Sequence, residues 1–128
     1  MKFHSADVTS DEQCRNAVAW TVAEFGGLDV LVNTAAIQSP ESYLPVHALP
    51  PAEWEKLIAV NLTGYTNMAR HVLPVMLRQA SGVIVNFASG QAHRTARSVP
   101  AYAVAKAGNL MQTMQWGIEY ARLGVRVV

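Results

Sequence analysis

Apolar residues fall along this chain in two kinds of block, short runs and long periodic stretches. Leu28 to Val32, with Asp29 inside, and Gly82 to Phe87 (Gly-Val-Ile-Val-Asn-Phe) are short, rich in Val and Ile, and bounded by turn residues. They read as buried strands. Neither alternates polar with apolar, which predicts a parallel sheet covered by helices on both faces. Lys2 to Ser5 reads as a weaker strand, and a further strand begins at Val125.

Helix signals fill the intervals. Thr9-Ser10-Asp11-Glu12 has the form of a capping box, with Thr9 as N-cap and Glu12 reaching back; the face Cys14, Ala17, Val18, Thr21, Val22 and Phe25 follows before Gly26-Gly27 stops the helix. A second helix is predicted from Pro50-Pro51 to residue 79, with Trp54, Leu57, Ile58, Asn61, Leu62, Tyr65, Met68, Val72 and Met76 at three-four spacing and a bend at Pro74. A third runs from about Pro100 to Arg122, with Gly124 as its cap, and is apolar nearly all round. Such a helix is covered on two sides, by the sheet and by something else. Strands and helices in alternation predict an α/β domain with right-handed crossovers, an architecture that hosts many functions.

Composition narrows those functions. The 128 residues, 51% hydrophobic and 15% charged, make one packed domain and exclude disorder. Ten Lys and Arg against nine Asp and Glu leave a formal charge of +1, which gives no electrostatic reason to expect nucleic acid or an anionic membrane as partner. No apolar run reaches the roughly eighteen residues of a membrane span, the opening residues do not form a signal peptide, and Cys14 is the single cysteine. A cytoplasmic protein is the expectation. His4, His47, His71 and His93 show no metal-ligand spacing, so no metal is expected, and Phe87 stands where a Gly-x-Ser-x-Gly hydrolase elbow at Ser89 needs glycine.

The chemistry that remains centres on Tyr102 and Lys106, four apart on the last helix and therefore on one face. An ammonium roughly 4 Å from a phenolate, at an effective dielectric near 20, contributes about 4 kcal/mol, enough to bring a phenol pKa of about 10 toward neutrality. The spacing alone also occurs in proteins where the tyrosine is only a half-buried anchor. Its weight comes from its surroundings. Ser89 follows the strand ending Asn86-Phe87-Ala88, where carboxyl ends of parallel strands face a ligand crevice. Asn61 is an amide in mid-helix, a poor helix former there, and Asn33-Thr34-Ala35-Ala36 leaves the other buried strand with small residues. Each has a plain structural reading, as turn residue or satisfied amide; together they point to one crevice.

These segments resemble the short-chain dehydrogenases/reductases over nearly the whole chain: Asp7-Val8-Thr9, Leu28 through Ala36, Val60-Asn61-Leu62-Thr63-Gly64, Val83 through Ser89, and Tyr102-Ala103-Val104-Ala105-Lys106, with the serine thirteen residues before the tyrosine. The resemblance implies a Rossmann-like doubly wound parallel sheet and an NAD or NADP cofactor. It implies that Tyr102 exchanges a proton with a carbonyl or alcohol oxygen and that Ser89 hydrogen-bonds that oxygen. Lys106 is implied to tune Tyr102 and bind the nicotinamide ribose, and Asn61 to hold a water linking Lys106 to solvent. Asp7 and Val8 would lie by the adenine, and Asn33, Ala35 and Ala36 would line the cofactor cleft. The family usually reads Asn-Asn-Ala-Gly where this chain has Asn33-Thr34-Ala35-Ala36, so Ala36 adds a methyl beside the cofactor.

The family also opens with a strand and a glycine-rich turn, and this chain has neither. Residues 1–128 are therefore expected to be a partial NAD(P)-binding domain, from the third strand to the start of the sixth, lacking the first two strands and the C-terminal part. The alternative is an inactive Rossmann-like interaction module unable to bind cofactor alone. Helices 51–79 and 100–122 are implied to pair between subunits in a homodimer or homotetramer. His93, Arg94 and Arg97 lie between Ser89 and Tyr102 and read as a solvated surface, or else as a preference for an acidic substrate.

Overall fold

A computed structural model describes residues 2–128, and Met1 lies outside the described residues. The first helix, α1 (Asp11–Phe25), is capped by Ser10, whose Oγ accepts from the Gln13 N–H at 3.3 Å. Thr9, expected as the cap, instead donates its N–H and hydroxyl to Asp7 Oδ1 at 2.9 and 2.8 Å. A carboxylate is the stronger acceptor, so it draws Thr9 into a tight turn and passes the cap to the next hydroxyl. Glu12 reaches forward to Arg15 at 3.8 Å and not back to the cap. Gly26 closes the helix, its N–H donating to Val22 O.

Three strands follow: β1 (Val30–Asn33), β2 (Gly82–Asn86) and β3 (Val125–Val127). They form a parallel sheet in the order β1-β2-β3, with Leu31, Ile84 and Val127 in one row. Lys2 to Ser5, expected as a strand, is not one. A lone strand has no ladder to satisfy its backbone, and none of the three strands pairs with this segment among the described residues. It lies along α1 instead, with His4 stacked on Trp20 at 5.0 Å and Lys2 paired with Glu24.

The helix expected over 51–79 is interrupted. It comprises α2 (Pro51–Ile58), a widened π turn at Ala59–Thr63, and α3 (Gly64–Gln79), which contains Pro74. Such a turn holds one extra residue and turns up at functional sites. The last helix, α4 (Pro100–Tyr120), runs into a tight turn at Ala121–Leu123 and then Gly124.

Val18 of α1, Val72 and Met76 of α3, and Leu31, Ile84 and Val125 of the sheet form the core, joined by Trp116 and Tyr120 of α4. All three long helices therefore lie on one face of the sheet. Two right-handed crossovers advancing in the same direction, β1 to β2 to β3, place α3 and α4 on the same side. Among the described residues the helices cover this one face: Val30 and Val32, which point to the other, are 56% and 49% exposed.

One backbone position admits little substitution. Gly124 has φ 86°, and a Cβ there would lie 2.0 Å from the Ala80 carbonyl oxygen at the end of α3. Gly124→Ala is expected to cost about 2 kcal/mol or more, seen as a lowered urea midpoint; an unchanged midpoint would contradict this packing.

Candidate functional site

The carboxyl ends of β1 and β2 are joined by a pair of buried amides. Asn33 and Asn86 face each other in register, Asn33 Nδ2 donating to Asn86 Oδ1 at 2.8 Å. Asn86 Nδ2 in turn donates to Thr113 Oγ1 at 3.0 Å, which ties the strand end to α4. Asn33 thus supports the crevice floor, its amide engaged with protein. Beyond it the backbone is open: Thr34 and Ala36 are exposed and Ala35 half-buried.

Lys106 is the centre of the site. Its side chain is carried inward by the face of α4 that also bears Tyr102 and Thr113, and the residue is 2% exposed. Its Nζ donates to the Phe87 carbonyl at 2.7 Å and to the Tyr65 hydroxyl at 3.3 Å. The same ammonium lies 5.2 Å from the centroid of the Tyr65 ring and 5.8 Å from that of Tyr102. No carboxylate pairs with it among the described residues. Burial holds its pKa below the ordinary lysine range.

Two phenols thus flank one cation, in different settings. Tyr65 is 1% exposed and its hydroxyl donates to Phe87 O at 3.1 Å. Burial pushes its pKa up, and the neighbouring Tyr102 adds to the rise. Tyr102 is half-buried. Ser89, two residues beyond Phe87, is extended at φ −158°, and its Oγ accepts from the Gln91 N–H at 3.2 Å. That bond occupies a lone pair and leaves the Ser89 hydroxyl proton able to donate.

Asn61 lies in the widened turn, fully buried. Its amide clamps the loop after β1 at two points: the Ile37 N–H donates to Oδ1 at 2.7 Å and Nδ2 donates to Ile37 O at 2.8 Å. Both ends of the side chain are engaged, so a water link through Asn61 needs a backbone atom. The Leu62 carbonyl in the same turn accepts from Gln112 Nε2 at 3.2 Å. Val8 packs on the start of α3, where a Cβ on Gly64 would lie 2.7 Å from Val8 Cγ2, and its carbonyl accepts from Asn67 Nδ2 at 2.9 Å. The Asp7 carboxyl is held below the usual range first by the Thr9 N–H and then by the Thr9 hydroxyl. His93, Arg94 and Arg97 are exposed, as a solvated surface requires. A groove of about 520 Å³ opens beside them, lined by Trp54, His93, Ala103 and Ala107, on a side of α4 turned away from Tyr102 and Lys106.

The structure thus brings Tyr102, Lys106 and the Phe87 carbonyl together, with Ser89 two residues further along the chain, and has Asn61 clamp the neighbouring loop from the widened turn. Periodicity alone gives Tyr65 only as part of an apolar stripe. The available signal was its hydroxyl: a phenol on the buried face of a helix needs a polar partner.

The fold and the strand-end crevice define a Rossmann-like α/β protein. The short chain dehydrogenase family matches residues 1–128, and the chain belongs to that family. It is 36% identical over 126 residues to an uncharacterized oxidoreductase of Thermotoga maritima, covering 98% of this chain and 48% of that protein. Among solved structures it is similar to a gluconate 5-dehydrogenase from Burkholderia cenocepacia in complex with NADP and tartrate (33% identity, TM-score 0.89, 94% of this chain and 46% of that one). It is also similar to an NAD+-bound xylitol dehydrogenase (29% identity, TM-score 0.92, 97% and 47%). The chain spans about half the length of the curated relatives it matches. No helix among the described residues is long and apolar enough to cross a membrane, and no cluster of His, Cys, Asp and Glu there has the makings of a metal site.

The buried ammonium makes stability depend on pH in a definite sense. Lys106 has a lowered pKa when folded, so between that value and the ordinary one the unfolded chain binds more protons, and stability rises with pH. Urea midpoints measured from about pH 7 to about pH 9.5, below the ordinary tyrosine range, should rise in the wild type. The rise should flatten in Lys106→Met; equal slopes in the two proteins would contradict the burial of a charged Lys106.

Proposed function

We propose that this chain carries the proton-transfer half of an NAD- or NADP-dependent oxidoreductase that interconverts a carbonyl and a secondary alcohol. The observation that carries the reading is Lys106: a buried ammonium with no carboxylate partner among the described residues, held at the end of β2 beside the half-buried Tyr102. A lone buried charge is costly and persists where function uses it.

The strand-end residues fit a nicotinamide ribose. Two of the three Lys106 N–H groups are engaged with protein, leaving one for a ribose hydroxyl, and the small Ala35 and Ala36 leave room for a planar group against the backbone. Asn33 holds the floor of that cleft, and Asp7 and Val8 border its adenine end. The nicotinamide, when bound, supplies or accepts the hydride. The chain's own residues move the proton. The Tyr102 hydroxyl gives a proton to a carbonyl oxygen, or accepts one from an alcohol, and the nearby cation stabilises the phenolate that forms. The Ser89 hydroxyl donates to the same substrate oxygen and stabilises charge developing on it. Asn61 fixes the loop after β1 through Ile37, so a water linking Lys106 with solvent would be held by its backbone carbonyl and not by its amide.

Helices α2–α3 and α4 also carry apolar surface beyond what the sheet covers, with Met111, Met114 and Ile118 exposed, the last by 81%. The reading extends to a homodimer or homotetramer through these helices, acting on small molecules in the cytoplasm. Ile118→Lys in the complete protein should then lower the mass found by light scattering; a wild type that is already monomeric would overturn this part.

Tyr102→Phe in the complete protein should lower kcat roughly 100- to 10,000-fold with a secondary alcohol and NAD(P), with little change in KM. Undiminished turnover in that variant would overturn the assignment of the acid/base.

A further inference from the structure

A second phenol touches the same cation, and no part of the proton transfer described above uses it. Tyr65 is the second residue of α3, in the turn that follows the widened turn of 59–63. The extra residue in that turn rotates everything after it by about 100° relative to a regular helix, so the turn sets which way Tyr65 points. It points at the end of β2. There three hydrogen bonds close a triangle: Tyr65 Oη–H donates to Phe87 O (3.1 Å), Lys106 Nζ donates to Phe87 O (2.7 Å), and Lys106 Nζ donates to Tyr65 Oη (3.3 Å).

We propose that Tyr65 is a positioning residue for the reaction assigned above: it fixes the Lys106 ammonium against the strand end so that the one remaining N–H is presented on the Tyr102 side. The inference rests on the redox reading for its function, and on the triangle alone for its geometry. An ammonium on a four-carbon stem loses much rotamer freedom when held in one place, and a single carbonyl leaves it free to swing. A second acceptor and two ring faces, at 5.2 and 5.8 Å, remove that freedom.

The division of labour between the two tyrosines follows. The Tyr65 proton is committed to Phe87 O, so its lone pairs face Lys106, and its raised pKa keeps that proton in place. Phe87 lies two residues before Ser89, so the same triangle fixes the backbone that carries the serine hydroxyl. The groups facing the ammonium are Tyr65 from α3, Tyr102 from α4 and the Phe87 carbonyl just past β2; no carboxylate joins them among the described residues.

Tyr65→Phe keeps the ring and removes the hydroxyl, which tests the triangle directly. The chain has three lysines, and the Lys2 and Lys56 side chains are 57% and 58% exposed, so with ε-13C-labelled lysine the NMR titration of Lys106 stands apart. Losing an acceptor that favours the charged form should lower the Lys106 midpoint by a further half to one pH unit, roughly, while Lys2 and Lys56 do not move. An unmoved Lys106 midpoint in a variant with wild-type far-UV circular dichroism overturns the proposal. A measurement on the wild type needs no variant: with ζ-13C-labelled tyrosine, the Tyr65 resonance should shift as Lys106 titrates, and a flat Tyr65 response overturns the proposal equally. In turnover by the complete protein, the acidic limb of alcohol oxidation should move to higher pH and kcat should fall several-fold, with KM within about twofold. A wild type that turns over no alcohol or ketone defeats the redox reading, while the two NMR results still decide the role of Tyr65.

Discussion

A single buried cation organises this molecule. The Lys106 ammonium joins three elements that are distant in sequence: α4, which carries it, the carboxyl end of β2 through the Phe87 carbonyl, and α3 through Tyr65. Burial raises the cost of that charge, and the two acceptors and two aromatic faces offset it only in part, as the lowered pKa records. The alternative to such compensation is an ammonium that loses its proton, so the groups around Lys106 are as necessary as Lys106 itself.

Around this point the chain uses amides where it needs rigidity. Asn33, Asn86 and Thr113 form a relay of hydrogen bonds from β1 across β2 to α4, and Asn61 grips both polar atoms of Ile37. An asparagine buried with its donors and acceptors matched specifies one geometry, because any slippage leaves a polar group unsatisfied. The crevice therefore has a fixed floor and a clamped loop, while Thr34 and Ala36 stay open to solvent. Beyond β2, Ser89 Oγ accepts only the Gln91 N–H, and Tyr102 stays half-buried.

Much of this was legible from periodicity. The Gly82–Asn86 run, the extent of α4 and the Tyr102–Lys106 spacing depend on local pattern, and the parallel sheet and the family followed from them. What pattern hid was competition between neighbours and contact across the fold. Thr9 and Ser10 are both good caps, and the choice turned on the Asp7 carboxylate. Lys2 to Ser5 has strand-like composition, but a strand exists only where a partner completes its ladder. The clamp of Asn61 on Ile37 spans 24 residues, and the contact of Tyr65 with Lys106 spans 41, distances over which no periodicity carries information. The widened turn at 59–63 was equally invisible, since the apolar spacing continues through it.

The one-sided sheet also sets how motion is distributed. Among the described residues β2 has a strand on each flank, whereas β1 and β3 each have one. Opening fluctuations begin where fewest bonds must break, so protection from hydrogen exchange should be graded, greatest along the central strand and least along the rims. The strand that leads to Phe87, and through its carbonyl to Lys106, is thus the one held on both flanks, and the end of the fold where the buried ammonium sits inherits that restraint.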